Sequence, residues 1–147
     1  EALFMLLIPV FLTRYGIKKT LLLGMFSWAL RYVLFAYGNS GELLFMFIIG
    51  IALHGLCYDF FFVAGQIYTD SKADEKFQSS AQGLITLATY GIGMLIGYWA
   101  AGLIADYYTI NDMIEWEMVW LIPAGFSIAV FILYLFTFKE ERIEYDV

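Results

Sequence analysis

Five long runs of apolar residues, separated by short polar connections, constrain this chain more than any other feature of its sequence. The runs cover residues 1–12, 20–37, 43–69, 79–108 and 117–138. All but the first approach or exceed the roughly 20 residues that a helix needs to cross a bilayer. A helix satisfies its backbone hydrogen bonds internally, as the hydrocarbon interior demands. The sequence therefore predicts an all-α polytopic membrane helix bundle of five transmembrane helices, the first truncated.

The composition agrees with a multi-pass membrane protein. Hydrophobic residues make up 62% of the chain and charged residues 15%, against about 45 to 50% and 25% in soluble domains. The acids behind the formal net charge of -6 are scattered over connections and tail, and no basic patch is present for a phosphate backbone. We therefore expect the lipid bilayer as a partner and no binding of nucleic acid.

The chain opens at Glu1 without an initiator Met or a signal sequence and enters an apolar run at once. We interpret it as a C-terminal piece of a longer protein, so a missing N-terminal half is an expected partner. No Pro/Gly-rich linker or low-complexity tract divides residues 1–147. These residues are expected to form one transmembrane domain.

Basic residues are distributed unevenly over the connections. Seven of the eight Lys and Arg residues lie in residues 13–19, in residues 70–77 or after residue 138, whereas residues 38–42 and 109–116 contain none. By the positive-inside rule, the basic connections and the C-terminus are predicted to be cytoplasmic. The eighth basic residue is Arg31, inside the second run.

Three ionisable side chains lie deep within the runs. At ~1.5 Å per residue, Glu1, Arg31 and Asp59 lie roughly 16 to 18 Å from the cytoplasmic ends, which is about mid-bilayer. Placing a charged side chain at this depth costs roughly 2.5 to 3.5 kcal/mol on insertion scales. We therefore expect the three side chains to share a polar cavity, with Arg31 as the charge partner of one acid. The other acid can carry a proton, at the depth where transporters keep coupling-ion sites. For Arg31, snorkelling to the outer interface is the alternative.

His54 and Tyr58 share one face of the third run. They lie four residues apart, whereas Asp59 is about 140° from His54 around the helix. We consider His54 a candidate substrate contact, and a structural hydrogen bond is the alternative.

The fourth run carries two patterns with a spacing of four. Small residues predict a face for close helix packing: these are Gly93, Gly97, Ala101 and Ala105. Polar residues form a stripe that either bonds to a neighbouring helix or lines a water-filled path: these are Gln82, Thr86 and Tyr90.

Sequence motifs of catalysis are absent. The chain has no HExxH motif, no P-loop and no GxGxxG motif after a strand. One histidine and one cysteine, Cys57, are too few for a zinc site within this chain. We therefore expect no enzyme, no metal and no cofactor, with the proton as coupling ion.

Motifs along the whole chain resemble the major facilitator superfamily. TRYGIKK, between the first two runs, is similar to the short basic inter-helix loop of that superfamily. The resemblance sharpens to the C-terminal half of its bacterial nucleoside:proton symporters through EALFMLLIPVFLTRYGIKK, WALRYVLFAYG, HGLCYDFFFVAGQIYTD, SSAQGLITLATYGIGMLIG and WEMVWLIPAGFSIAVF. It implies helices eight to twelve of a twelve-helix transporter of the bacterial cytoplasmic (inner) membrane.

The same resemblance implies a binding site. The acid before the apolar run of helix eight falls on Glu1, and the aromatic-acid-Phe-Phe motif of helix ten falls on residues 58–61. This implies that Glu1, His54, Tyr58 and Asp59 bind substrate and that Asp59 and Glu1 couple the proton. His54 occupies a position where the resemblance leads us to expect a tyrosine.

Proton-coupled uptake of nucleosides by alternating access is the leading hypothesis from these observations. One alternative is a major facilitator transporter of another small polar solute, such as a sugar. Another is a non-transporting membrane subunit whose charges only hold helices together. An intramembrane enzyme is a distant further alternative, suggested only because His54 and Asp59 occur in one run.

Overall fold

The computed structural model describes residues 2–139, which form a helical bundle with one small hairpin. In chain order the elements are α1 (Ala2–Met5), α2 (Ile8–Tyr37), α3 (Leu44–Lys72), α4 (Gln78–Tyr107), β1 (Thr109–Ile110), β2 (Met113–Ile114) and α5 (Trp116–Thr137). Helices α2 to α5 are each long and apolar enough to cross a membrane. The predicted all-α class of membrane bundle is confirmed.

The predicted first run, residues 1–12, is split by a break between α1 and α2. The N–H of Leu7 donates to the carbonyl of Phe4 at 2.9 Å, a three-residue step tighter than that of an α-helix. Pro9 lies in the first turn of α2 and has no N–H to donate to the carbonyl of Met5. Proline is favoured where a helix starts, so the chain ends one helix and begins another within this run.

α2 turns back on itself at Gly16. This glycine has φ 79° and ψ 169°, a conformation essentially restricted to glycine. In a straight helix Phe11 and Gly24 would be about 20 Å apart. Both nevertheless contact Phe60: its ring lies 4.9 Å from that of Phe11, and its backbone lies against Gly24. Residues 8–15 therefore run back along residues 17–37.

The turn at Gly16 is much shorter than the connection predicted at residues 13–19. Helical hydrogen bonding resumes directly after Gly16 rather than at residue 20. Lys18 is part of this turn, and its Nζ donates to the backbone carbonyl of Leu135 near the end of α5 at 2.9 Å. The turn and the end of α5 therefore lie at the same end of the bundle.

The buried core forms where both limbs of α2 meet α3. Its buried side chains are Ile8, Leu12, Ile17, Leu21, Phe60 and Ala64. A Cβ on Gly24 would lie 2.9 Å from the carbonyl carbon of Phe60, so only glycine allows the two backbones this close. α5 packs along the outer length of α2.

Two spans contain a π-helical stretch, which the sequence analysis did not predict. One is Asp59–Val63 in α3 and the other is Leu87–Gly93 in α4. Each changes the direction of the side chains that follow it relative to a regular α-helix. Such stretches occur frequently at functional sites.

The connection between α4 and α5 contains a hairpin that was not predicted for residues 109–116. Thr109 pairs with Ile114 and Ile110 pairs with Met113 in antiparallel register. Asn111 and Asp112 have φ 51° and φ 62°, which is the requirement of a type I′ turn. Four strand residues do not alter the helical class.

The outer surface of the bundle is strongly apolar. Large side chains such as Leu3 and Phe136 are 78% and 81% exposed. Within residues 2–139, no residue of α4 is fully buried. The small-residue face predicted on this helix is open at Gly97, where an added Cβ would meet no atom within 4 Å. Contiguous apolar surface of this extent suits contact with lipid or with further protein.

Replacing Gly24 by alanine should destabilise the bundle. The added methyl group would overlap the backbone of Phe60, and overpacking of this kind costs typically about 1 to 3 kcal/mol. We expect Gly24→Ala to lower the apparent melting temperature of the purified protein in detergent. Gly97→Ala is the matched control and should leave the melting temperature unchanged or slightly higher. Equal melting temperatures for the two variants would contradict the close approach.

Candidate functional site

Asp59 is a completely buried charged residue in the middle of the bundle, with 0% of its surface exposed. It begins the π-helical stretch Asp59–Val63, against which α1 packs. Burying an ionisable group in apolar surroundings is costly, so a mid-membrane position of this kind marks a functional residue by default. Glu1, the second predicted acid, lies outside the described residues, and its meeting with Asp59 stays a prediction.

Arg31 is hydrogen-bonded to His54 across the interface between α2 and α3. The distance from Arg31 Nη1 to His54 Nδ1 is 2.9 Å. The sequence analysis expected Arg31 to pair with an acid, but in residues 2–139 its hydrogen bond goes to the imidazole. Asp59 lies five residues beyond His54 on α3 and about 140° around the helix from it. The backbone directly after Asp59 lies against Gly24, seven residues before Arg31, so the two groups are also at different depths.

Aromatic rings surround the Arg31–His54 pair. The guanidinium carbon lies 5.5 Å from the ring centroid of Trp28 and 5.0 Å from that of Phe35, both within cation–π range. The ring of Trp28 also meets His54 edge-on at 6.5 Å. These contacts keep a cation within the bundle by giving it aromatic faces to lie on.

Further rings extend this group on the α5 side. Trp120 stacks on Tyr32 at 5.9 Å and meets Phe35 edge-on at 5.1 Å. We name Trp28, Tyr32, Phe35 and Trp120 the aromatic cluster. The sequence analysis missed it, although Trp28, Tyr32 and Phe35 are spaced by four and three residues and so share a helix face.

A pair of tyrosine hydroxyls joins α3 to α4. The Oη atoms of Tyr58 and Tyr90 are 2.6 Å apart. Tyr58 directly precedes the π-helical stretch of α3, and Tyr90 lies inside that of α4. Phe62 packs against both rings, at 5.3 Å and 5.5 Å. The two irregular stretches are thus bonded to each other.

His54 and Tyr58 lie together, as their shared face predicts. Their ring centroids are 6.2 Å apart. Both side chains are half-buried, whereas Asp59 is enclosed. The site residues within residues 2–139 therefore form a connected series from Arg31 through His54 and Tyr58 to Tyr90, with Asp59 adjacent in the chain and turned to the interior.

The polar stripe on α4 is divided between two roles. Gln82 Nε2 donates to the backbone carbonyl of Gln66 at 2.8 Å, and Tyr90 bonds to Tyr58, so both make interhelical hydrogen bonds. Thr86 is exposed. A cavity of about 350 Å³ lies between α2, α3, α4 and α5, with Gln66, Thr69 and Thr89 among its polar lining residues.

The described side chains offer binding chemistry rather than metal chemistry. Within residues 2–139 no three His, Cys, Asp or Glu side chains are grouped so that they could hold a metal ion. Cys57 is buried and packs as a small apolar residue. The site provides hydrogen-bond donors and acceptors, aromatic faces and one enclosed carboxyl group.

Comparisons with known proteins identify a matching family and similar transporters. A family model described as nucleoside H⁺ symporter matches residues 1–142. The chain is 33% identical to the nucleoside permease NupG of Escherichia coli (strain K12) over 144 residues, which is 97% of this chain and 34% of NupG. It is 33% identical to the xanthosine permease of the same strain over 140 residues, 95% of this chain and 34% of that protein. The chain thus spans about a third of the length of these curated relatives.

Solved structures match over most of the chain as well. Crystal structures of the nucleoside transporter NupG, one of them of a point mutant, align with TM-scores of 0.85 and 0.88 at 33% sequence identity. Each alignment covers 94% of this chain and 35% of NupG.

The tyrosine pair should behave as one unit in stability measurements. Tyr58→Phe and Tyr90→Phe each remove one hydroxyl and leave the other without its partner, and we expect each to cost about 1 kcal/mol. The double variant should cost little more than either single one, because it removes both members of the bond. Thermal unfolding in detergent measures the stability of the two single variants and of the double variant. Tyr98→Phe is the control, because Tyr98 lies on the same helix and is 73% exposed. Strictly additive losses would contradict the bond.

Proposed function

The chain belongs to the nucleoside H⁺ symporter family, and from this membership we propose that it is part of a transporter that imports nucleosides together with protons. Uptake proceeds by alternating access, in which the half containing this chain rocks against the other half. The chain supplies part of the substrate and proton site. Its membrane is the bacterial cytoplasmic membrane.

The observation that carries the proposal is the enclosure of Asp59. This carboxyl group has no exposed surface and lies in a 29-residue apolar span. Burying an ionisable group there costs free energy, so such a residue is by default a functional one. Proton carriage is such a task, since the group is neutral in one step of the cycle and charged in another. Glu1 is proposed as the second acid of the same site.

Nucleoside recognition suits the side chains next to Asp59. Carboxylates accept hydrogen bonds from ribose hydroxyls, and aromatic faces stack on nucleobases for about 1 to 3 kcal/mol per base. Tyr58, directly before Asp59 in the chain, and His54 present half-buried rings that lie 6.2 Å apart. Hydrogen bonding and stacking together define a solute with a polar sugar and a flat base.

The orientation with the C-terminus in the cytoplasm is supported by the contact between Lys18 and Leu135. That contact brings the basic turn around Gly16 and the end of α5 to one end of the bundle. Lys and Arg residues concentrate at this end, and the positive-inside rule places such segments in the cytoplasm. The hairpin between α4 and α5 then faces outward.

The remainder of the transporter is the proposed main partner of this chain. The curated relatives are about three times as long as the matched segment. The open faces of α1 and α4 are apolar surfaces that further helices can cover. Neither a catalytic step nor a bound cofactor is part of the proposal, and the proton is the coupling ion.

Neutralising the acids should abolish proton-driven accumulation of nucleoside. In the full-length transporter, Asp59→Asn and Glu1→Gln are each expected to lower uptake of labelled uridine by about 10- to 100-fold, because hydrogen bonds to charged groups are worth about 1.5 to 3 kcal/mol. The measurement is accumulation in proteoliposomes with an imposed pH gradient.

Asp70→Asn is the matched control, since Asp70 lies on the same helix and is exposed. It should leave uptake unchanged. Undiminished gradient-driven uptake in both site variants would refute the coupling role. Suppression of uridine uptake by unlabelled sugars at equal concentration would instead assign the site to a different polar solute.

A further inference from the structure

We propose that the hydroxyl group of Thr86 faces the water-filled path along which the solute crosses the membrane, where it offers a polar contact to the solute and to its hydration water. Thr86 lies on α4, at the contact line between α3 and α4. The inference rests on the proposed function, because it assigns Thr86 to the path of the same solute.

Hydroxyl groups in the spanning helices are almost all bonded to their own helix. Within residues 2–139, every serine and threonine beyond the first turn of α2 to α5, other than Thr86, donates to a backbone carbonyl three or four residues earlier: these are Thr13, Thr20, Ser27, Thr69, Ser71, Thr89, Ser127 and Thr137. The hydroxyl of Thr86 makes no such bond within these residues, although its backbone carbonyl accepts one from Thr89.

The surroundings of a threonine in a membrane determine whether it needs such a bond. In hydrocarbon no water is available, so the hydroxyl is satisfied by the carbonyl four residues earlier, and an unbonded hydroxyl costs free energy. Thr86 is exposed and lies about 12 Å into the span, counted from the start of α4 at Gln78. Its hydroxyl therefore requires water or a polar solute as partner.

The contact line between α3 and α4 follows one antiparallel register. Three hydrogen bonds define it: Gln78 to the carbonyl of Asp70 at 3.5 Å, Gln82 to the carbonyl of Gln66 at 2.8 Å, and Tyr90 to Tyr58 at 2.6 Å. Along this register, each step of four residues in α4 is matched by a step of four residues back along α3. Thr86 and Phe62 therefore occupy the level between the second and the third bond.

This level is the one at which the polar stripe of α4 is not used for helix packing. The ring of Phe62 packs against those of Tyr58 and Tyr90, at 5.3 Å and 5.5 Å, and Thr86 stays exposed. Leu84, which is 68% exposed, lies two residues earlier and about 160° around the helix from Thr86. One side of α4 is thus polar and the opposite side is apolar at the same depth, which favours water at Thr86 and lipid or protein at Leu84.

Thiol labelling measures whether position 86 is in contact with water. In the full-length transporter, Thr86→Cys exchanges side chains of similar size, and Leu84→Cys is the matched control. A charged, membrane-impermeant methanethiosulfonate is added to inside-out membrane vesicles. We expect it to modify Thr86→Cys about tenfold faster than Leu84→Cys, since the reagent attacks thiolates and apolar surroundings suppress them. The unsubstituted transporter, in which Cys57 is buried, gives the background.

Uridine should slow the labelling of Thr86→Cys, because a solute in the path excludes the reagent. We expect the rate to fall as uridine is added, with half of the loss near the KM for uridine uptake. The rate for Leu84→Cys should not change. Equal rates for the two variants would overturn the inference. A Thr86→Cys rate that is insensitive to uridine, in a transporter that takes up uridine, would overturn it as well.

Bulky side chains test the same assignment by transport. Thr86→Phe adds a ring on the polar side of α4 and Leu84→Phe adds one on the apolar side, and both positions are exposed, so both variants should fold. We expect Thr86→Phe to lower the rate of uridine uptake by about tenfold or more, because the diameter of a path limits what passes through it. Leu84→Phe should leave uptake unchanged. Immunoblots and melting temperatures normalise the values to folded transporter, and undiminished uptake in Thr86→Phe would overturn the inference.

Failure of this inference and failure of the proposed function give different results. If the unsubstituted transporter accumulates no uridine while Thr86→Cys still labels faster than Leu84→Cys, the proposed function fails and the aqueous position of Thr86 stands. If uridine is accumulated but the two cysteine variants label at the same rate, the proposed function stands and the assignment of Thr86 fails.

Discussion

The cost of holding charged and polar groups in hydrocarbon governs this structure. Water solvates such groups outside the membrane, but inside it only protein atoms can do so. Arg31 meets this demand with a hydrogen bond to His54 and two aromatic faces. Asp59 is instead completely enclosed in the protein, where α1 and α2 pack against its stretch of α3. The base and the acid are thus accommodated at different levels of the bundle, by different contacts.

The enclosure of Asp59 depends on a close approach of backbones. Gly24 lets α2 touch the backbone of Phe60, which is one residue beyond Asp59. Gly16 turns residues 8–15 back, so that the ring of Phe11 packs against the ring of Phe60. A side chain at Gly24 would push α2 away from α3, and one at Gly16 would be strained by its positive φ. Two positions without side chains therefore determine how tightly the carboxyl group is sealed, although neither contacts it.

The sequence was sufficient for the features that depend on hydropathy and depth. Apolar runs predicted the bundle. Counting residues put Arg31 and Asp59 at one level, but Arg31 bonds to His54, whereas the backbone directly after Asp59 lies against Gly24, seven residues before Arg31. The bond from Arg31 to His54 was not predicted; it forms with His54 and not with Asp59 because the two lie five residues and about 140° apart on α3. A pairing of Arg31 with Glu1 stays a prediction. The break at Pro9 was visible as a proline near the start of an apolar run but was not used. The π-helical stretches have no comparable signature, because they arise from tertiary packing that no local pattern encodes.

The contacts of α4 show how a bundle of this kind can hold a helix and still let it move. Within residues 2–139, α4 has no fully buried residue and touches α5 only slightly, so apolar burial contributes little to its position there. Three hydrogen bonds connect it to α3 instead: Gln78 to the carbonyl of Asp70, Gln82 to the carbonyl of Gln66, and Tyr90 to Tyr58. Hydrogen bonds between membrane helices are worth on average about 0.6 kcal/mol in double-mutant cycles, so each can break at low cost. Because Tyr58 also contacts His54 and precedes Asp59, a shift of α4 would reach the proposed substrate and proton residues through one hydroxyl pair.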